Sequence, residues 1–287
     1  MEKKARGEKT VSLTCYDYPT AVIMEEAGID LILVGDSVGA NMLGYETELE
    51  VTMDDMIHHL KAVKRGIKDA CLVSDMPYAS YKDVETALIN ARKFVDHGAD
   101  MVKLEGFHEN IIASLTADGI EVIAHIGLNP QASAERRAFG KKFDEAVLLI
   151  DGATRLEAAG AKMIVLEKIP QKITEIITRE LSIPTIGIGS GRFCDLQILV
   201  IYDIIGFAPK KFKHIKVYGD IRKALKQAVT AYKEDCTSGG FPADEHANII
   251  PLEEFEKVTY WMQNGVSVLG NTRPISGNNG FAKNMDN

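Results

Sequence analysis

Seven short apolar runs in this 287-residue chain each close on a polar or glycine-rich group: Asp17, Asp36-Ser37, Asp75, Lys103 with Glu105, His125, Glu167, and Gly187 to Gly191. Asp36, Asp75 and Glu105 are all-oxygen donors, the kind a hard divalent cation such as Mg²⁺ takes. Mg²⁺ keeps one or two protein carboxylates and fills its octahedron with water and substrate oxygens, so Asp36 and Asp75 are the expected direct ligands. Glu105 is then expected to orient metal-bound water. Lys103 stands two residues before Glu105, so on a strand both side chains share a face, where the ammonium could hold a substrate carboxylate. The alternative is a plain ion pair with Glu105 or a neighbouring aspartate. Glu167 ends an otherwise apolar run, and partial desolvation there raises a carboxyl pKa and suits a general base. Its alternative is an ion pair with Lys168. His125 either hydrogen-bonds a substrate oxygen or satisfies a buried polar layer. A single acid after a strand is often a helix N-cap, and Asp17 and Asp36 both precede helical stretches. Several carboxylates at one mouth, however, repel one another unless a cation or a shared proton compensates.

These groups are far apart in sequence and need a scaffold that gathers strand ends. The runs VSLTCYD, DLILVGD, CLVSDMP, MVKLEG, EVIAHIG, MIVLEKI and TIGIGSG alternate with amphipathic stretches such as TMDDMIHHLKAVKRG and VETALINARKFVDHGA. That alternation is the signature of parallel βαβ units. In EEAGIDLI, DHGADMV and EAAGAKMI, Gly28, Gly98 and Gly160 can take the left-handed conformation that stops a helix before the next strand. Seven units, with a weaker eighth near KHIKVYGDIRKALKQAVTAY, predict a closed (β/α)8 TIM-type barrel of about 250 residues, whose active site opens at the C-terminal strand ends. No GxGxxG fingerprint or P-loop points to a Rossmann or NTPase fold. The expected organisation is a single catalytic domain over 1–250 and a C-terminal extension over 251–287. The tail from Asn264 is rich in Asn, Gly and Ser and is expected to be mobile or to cover a neighbour.

A composition of 46% hydrophobic and 26% charged residues is that of a globular chain, and the net charge of −8 argues against a nucleic-acid-binding surface. The N-terminal MEKKARGEKT lacks a signal-peptide h-region, and no apolar run reaches the 18 to 20 or so residues of a membrane span. A cytoplasmic enzyme acting on small molecules is expected. Cys15, Cys71, Cys194 and Cys236 form no CxxC pair and read as reduced, buried thiols. His58, His59, His97 and His108 read as helix-surface residues.

At VGDS, SDMPYASY, VKLEG, AHIGLNPQ, VLEKIP and IPTIGIGSG the chain resembles the ketopantoate hydroxymethyltransferase family of the phosphoenolpyruvate/pyruvate barrel superfamily. The likeness runs from TCYDYPTAVIMEEAGIDLILVGDS to FPADEH near position 246, in matching order. It implies transfer of a one-carbon unit from 5,10-methylenetetrahydrofolate to 3-methyl-2-oxobutanoate, giving 2-dehydropantoate in pantothenate biosynthesis. Asp36 and Asp75 would then be Mg²⁺ ligands, with Glu105 completing the metal site. Asp36, Ser37, Asp75 and Lys103 would contact the oxo acid, and Glu167 would accept a proton. A homo-oligomer, a decamer in the family's manner, is also implied. The chain departs from the family after HIGLNPQ, where ASAERRAFGKKFDEA replaces a segment with a GYKVQGR-like core. It departs again at Leu196 and Tyr202, where the family more often has Gly and His. Two further readings remain: a lyase or mutase acting through a metal-stabilised enolate of another 2-oxo acid, though no KKCGH-like segment is present, and a non-catalytic, metabolite-binding barrel.

Overall fold

The computed structural model describes residue 4 and residues 6–132, 137–208 and 212–264. Eight parallel strands close into a barrel in sequence order. They are β1 (Thr10–Thr14), β2 (Leu31–Val34), β3 (Cys71–Asp75), β4 (Met101–Glu105), β5 (Glu121–Gly127), β6 (Met163–Glu167), β7 (Thr185–Ile188) and β8 (Leu196–Leu199). Outside them run α1 (Tyr18–Glu26), α2 (Met53–Lys64), α3 (Val84–Asp96), α4 (Glu109–Ala117), α5 (Phe143–Ala158), α6 (Gln171–Glu180) and the short α7 (Ile201–Ile204). The expected TIM-type barrel is therefore the fold.

The two-residue period of a strand sorts its side chains into two layers. Ile32, Val34, Leu72, Val102, Leu104, Val122, Ala124, Ile126, Ile164 and Leu166 pack outward into the core shared with the helices. Leu31, Leu33, Val73, Met101, Ile123, Val165, Ile186, Leu196 and Ile198 form a separate cluster inside the barrel. Two residues further along the same inward face come Asp75 after Val73, Lys103 after Met101, His125 after Ile123 and Glu167 after Val165. The alternation that fills the barrel with apolar groups thus delivers charged ones to its C-terminal end.

The eighth strand differs from expectation. It is Leu196–Leu199, joined to β7 by a seven-residue loop without a helix, and KHIKVYGD is not a strand. β8 pairs with β7 on one side and with β1 on the other, Thr10 opposite Leu196 through Leu13 opposite Leu199. The ring is then closed, and no edge is left for KHIKVYGD to join.

Two compact units divide the chain at Met1–Ala224 and Leu225–Asn287. The helix α8 (Ile221–Ser238) spans the division, and the second unit also contains α9 (Leu252–Asn264). Neither α8 nor α9 has a buried residue. The tail expected to be mobile lies, beyond Asn264, outside the described residues. Among those residues no helix is long and apolar enough to cross a membrane. Cys15 and Cys194 are buried as expected, whereas Cys71 is partly exposed and Cys236 exposed.

Candidate active site

The strand ends surround a cavity of about 540 Å³ that includes Asp36, Ser37, Asp75, Lys103, Glu105, His125 and Glu167 in its lining. The seven residues expected to bind metal or substrate or to act as base therefore line one cavity. A second cavity of about 930 Å³ is lined by strand starts, among them Thr10, Leu31, Cys71 and Met163. It lies at the N-terminal end, where barrels keep residues that serve stability, and its Lys4–Asp195 ion pair at 3.0 Å fits that role. Asp17 is absent from the mouth. Its carboxylate caps α1, accepting from the Thr20 N–H at 2.9 Å, so here the N-cap alternative holds.

Strand register sets the neighbours. Asp75 stands opposite Lys103, Glu105 opposite His125, and Gly127 opposite Glu167. Lys103 Nζ donates a short hydrogen bond to Asp75 Oδ1 and lies 3.8 Å from Glu105 Oε1. The ion-pair alternative for Lys103 is thus realised inside the cavity itself. His125 lies between two carboxylates, with Nδ1 3.4 Å from Glu105 Oε1 and Nε2 3.4 Å from Glu167 Oε2. Neither ring nitrogen makes a well-formed hydrogen bond, although the side chain is buried. Glu167 has its charged neighbour in His125, while the Lys168 ammonium lies 5.5 Å over the Phe212 ring.

Burial first, and then the charges of Asp75 and Glu105, push Asp36 well above the usual carboxylate range. Burial also raises Asp75, against the pull of Lys103. Glu105 is likewise desolvated, but His125, Lys103 and the Gln131 N–H outweigh that and hold it low. Burial and Lys103 both oppose an imidazolium at His125, yet Glu105 and Glu167 carry it up to about 9. Burial opposes the charge of Lys103 too, and the surrounding carboxylates overcome it, keeping the ammonium protonated beyond its usual range.

Several supporting groups were not legible as site residues. Tyr16 is buried, with its hydroxyl 2.8 Å from Ser37 Oγ, so it orients that serine. Gln131 donates from Nε2 to Asp36 Oδ2 at 2.8 Å and from its main chain to Glu105 Oε2 at 3.0 Å. Tyr81 donates its phenolic hydrogen to Gln131 Oε1. Each stands just past a strand end, in TCYD, SDMPYASY or GLNPQ, which was the only available signal.

Gly127 holds Glu167 in place. Its φ is +103°, and a Cβ there would stand 2.2 Å from the Glu167 carbonyl oxygen. That oxygen accepts from Leu128 N–H at 2.9 Å, which leaves it little room to yield. A Gly127→Ala substitution is expected to cost more than the roughly 1–3 kcal/mol of a strained backbone alone, because strain and overlap add. Thermal unfolding should register the loss, and activity should fall in the protein that remains folded. An unchanged midpoint would mean that the β5 end is pliable.

The donor set fits a hard divalent cation. Asp36 and Asp75 are adjacent, with the Asp36 N–H 3.2 Å from Asp75 Oδ2, and the acids outnumber the cations around them. Among the described residues no group of three or more His, Cys, Asp and Glu is arranged to hold an ion together. The fit is therefore to a two-aspartate site of the kind Mg²⁺ accepts. Both Glu105 oxygens are already engaged by His125 and Gln131.

The family model described as ketopantoate hydroxymethyltransferase matches residues 1–244. A 3-methyl-2-oxobutanoate hydroxymethyltransferase from Listeria monocytogenes serotype 4b (strain CLIP80459) is 44% identical over 261 residues, covering 88% of this chain and 94% of its own. The protein of that name from Geobacter metallireducens is 47% identical over 252 residues, covering 85% and 94%. Among solved structures, phosphonopyruvate hydrolase in complex with oxalate and Mg²⁺ superposes with a TM-score of 0.55 at 12% identity, covering 91% of this chain and 95% of that one. A 2,3-dimethylmalate lyase of the PEP mutase/isocitrate lyase superfamily gives 0.54 at 13%, covering 88% and 94%. These structural likenesses bear on fold alone.

Proposed function

Because the chain belongs to the ketopantoate hydroxymethyltransferase family, a family of transferases, we propose that it adds a one-carbon unit from 5,10-methylenetetrahydrofolate to the enolate of 3-methyl-2-oxobutanoate. The product is 2-dehydropantoate, and the setting is pantothenate biosynthesis in the cytoplasm. The observation that carries the reading is the meeting of two aspartates, a lysine, a histidine flanked by carboxylates and Glu167 in one cavity.

Asp36 and Asp75 would hold Mg²⁺, with Glu105 beside them, and a cation bound there would supply Lewis-acid polarisation of the 2-oxo group. Lys103 and Ser37 hold the substrate carboxylate. Glu167 takes the proton from C3, a role supported by its partial burial, with a side chain 16% exposed. His125 donates a hydrogen bond to the oxygen on which enolate charge develops. The charge that Glu105 and Glu167 favour on the ring, with each nitrogen 3.4 Å from a carboxylate and neither in a well-formed hydrogen bond, supports that role. The enolate carbon forms the new bond to the methylene carbon, water supplies its hydroxyl oxygen, and both C–N bonds to folate break, so that tetrahydrofolate leaves carrying the C3 proton and one proton of the water. A homo-oligomer is supported by the exposed apolar side chains of the second unit, among them Val229, Tyr232, Phe255 and Trp261.

The purified protein with Mg²⁺ is expected to exchange the C3 hydrogen of 3-methyl-2-oxobutanoate for deuterium without folate. Adding methylenetetrahydrofolate should give net hydroxymethyl transfer. Exchange absent for every branched oxo acid tested would remove the enolate step. Turnover of an oxo acid without folate would point to lyase or mutase chemistry, and binding without exchange to a non-catalytic barrel.

A further inference from the structure

We infer that Gln131 is a positioning residue that sets the Asp36 and Glu105 carboxylates for the cation, with Tyr81 locking its amide. The inference rests on the metal reading above and extends it to residues outside the strand ends. Gln131 is buried, and its orientation is determined by its neighbours. The two Nε2 hydrogens go to Asp36 Oδ2 at 2.8 Å and to the Met76 carbonyl at 3.0 Å, while Oε1 accepts from the Tyr81 hydroxyl. A primary amide has two donors, and both are used. Turned over, it would set its oxygen against a carboxylate and a carbonyl. Tyr81 is fixed in its turn, because its oxygen faces the Glu105 N–H at 3.4 Å. The Gln131 main-chain N–H completes the circuit at Glu105 Oε2. One residue on the loop after β5 thereby ties the ends of β2 and β4 together.

The chemistry of the donor matters as much as its place. Lys103 fixes Asp75 with a full positive charge, whereas Gln131 fixes Asp36 with a neutral amide. A neutral donor holds one carboxylate oxygen, Oδ2, without repelling an incoming cation, and it leaves Oδ1 of Asp36 for the ion. Holding both Asp36 and Glu105 in advance also removes side-chain entropy that a cation would otherwise have to offset on binding.

The test uses the full-length protein, with Mn²⁺ titrated by electron paramagnetic resonance and thermal unfolding followed in parallel. In Gln131→Ala the dissociation constant for Mn²⁺ is expected to rise about 10- to 100-fold, the usual effect of losing a group that orients a ligand. Gln131→Met keeps the length and volume but donates nothing to Asp36, and should weaken Mn²⁺ about as much. Tyr81→Phe keeps the ring and frees the amide, so a smaller loss in the same direction is expected. A merely structural role would lower the unfolding temperature and leave Mn²⁺ affinity in the folded fraction unchanged. If Gln131→Ala does not fold, Tyr81→Phe and Gln131→Met decide the matter. Folded variants that bind Mn²⁺ as the parent does overturn the inference alone. A parent protein with no saturable Mn²⁺ site overturns the metal reading and the inference together.

Discussion

Replacing Glu167 by Gln is expected to slow C3 hydrogen exchange of the oxo acid by about 10²- to 10⁴-fold, the usual contribution of a placed general base, while the protein stays folded. The substitution keeps the shape of the side chain and removes its charge. Glu167 ends β6 with its carboxylate only partly buried, and its charged neighbour is a histidine 3.4 Å away. An amide can still pair with that ring, so the unfolding midpoint should move little. Binding of the oxo acid should also survive, because the ion-paired Lys103 and the two aspartates are untouched. The loss should therefore appear in the rate of exchange and not in substrate affinity, as expected for an interaction made mainly in the transition state. Deuterium incorporation followed by proton NMR separates these quantities. Exchange at the parent rate in the variant would move the base to another group in the cavity.

How far the site could be read from sequence follows from how each residue is placed. Asp75, Lys103, Glu105, His125 and Glu167 were legible because a strand's period of two is local, and a parallel barrel sends every such end to one face. Their pairing was not legible, because register between β3 and β4 or β5 and β6 depends on contacts far apart in sequence. Lys103 shows the difference: a cation facing the mouth was evident, but whether Asp75 or a ligand holds it was not. Leu196–Leu199 was overlooked because it is only four residues long and its strand character rests on pairing with β7 and β1, which are remote from each other in sequence. A search for strand–helix alternation passes over two strands joined by a glycine-bearing loop. Gln131 and Tyr81 lie on loops, where no period marks the direction of a side chain. Their importance emerges only when three segments are brought together.

Lys103→Met is expected to destabilise the protein by about 3–5 kcal/mol at neutral pH, the usual cost of removing one partner from a buried ion pair. The two side chains are 6% and 3% exposed, so a carboxylate left alone there would keep little of its hydration. Such a loss is a large share of the 5–15 kcal/mol or so that a typical domain has. The deficit should also depend on pH in a definite direction. Burial already raises Asp75, and without Lys103 its folded-state pKa must rise further above the unfolded value of about 3.9. Between those two values the folded variant binds more protons than the unfolded chain, so its stability grows as pH falls through the folded pKa. The deficit is thus complete above that pKa and shrinks below it, as urea midpoints at neutral and mildly acidic pH should show. Adding Asp75→Asn to Lys103→Met removes the stranded charge and keeps an oxygen for the Asp36 N–H, now 3.2 Å from Asp75. Most of the lost stability should return, since deleting both members of a buried pair is far less costly than deleting one. Activity should not return, because the double variant lacks both the ammonium assigned to the substrate carboxylate and one of the two aspartates assigned to the cation. A single variant as stable as the parent would show that Asp75 is held neutral or solvated by other means. A double variant no more stable than the single one would place the cost in lost packing of the lysine stem instead of in the stranded carboxylate.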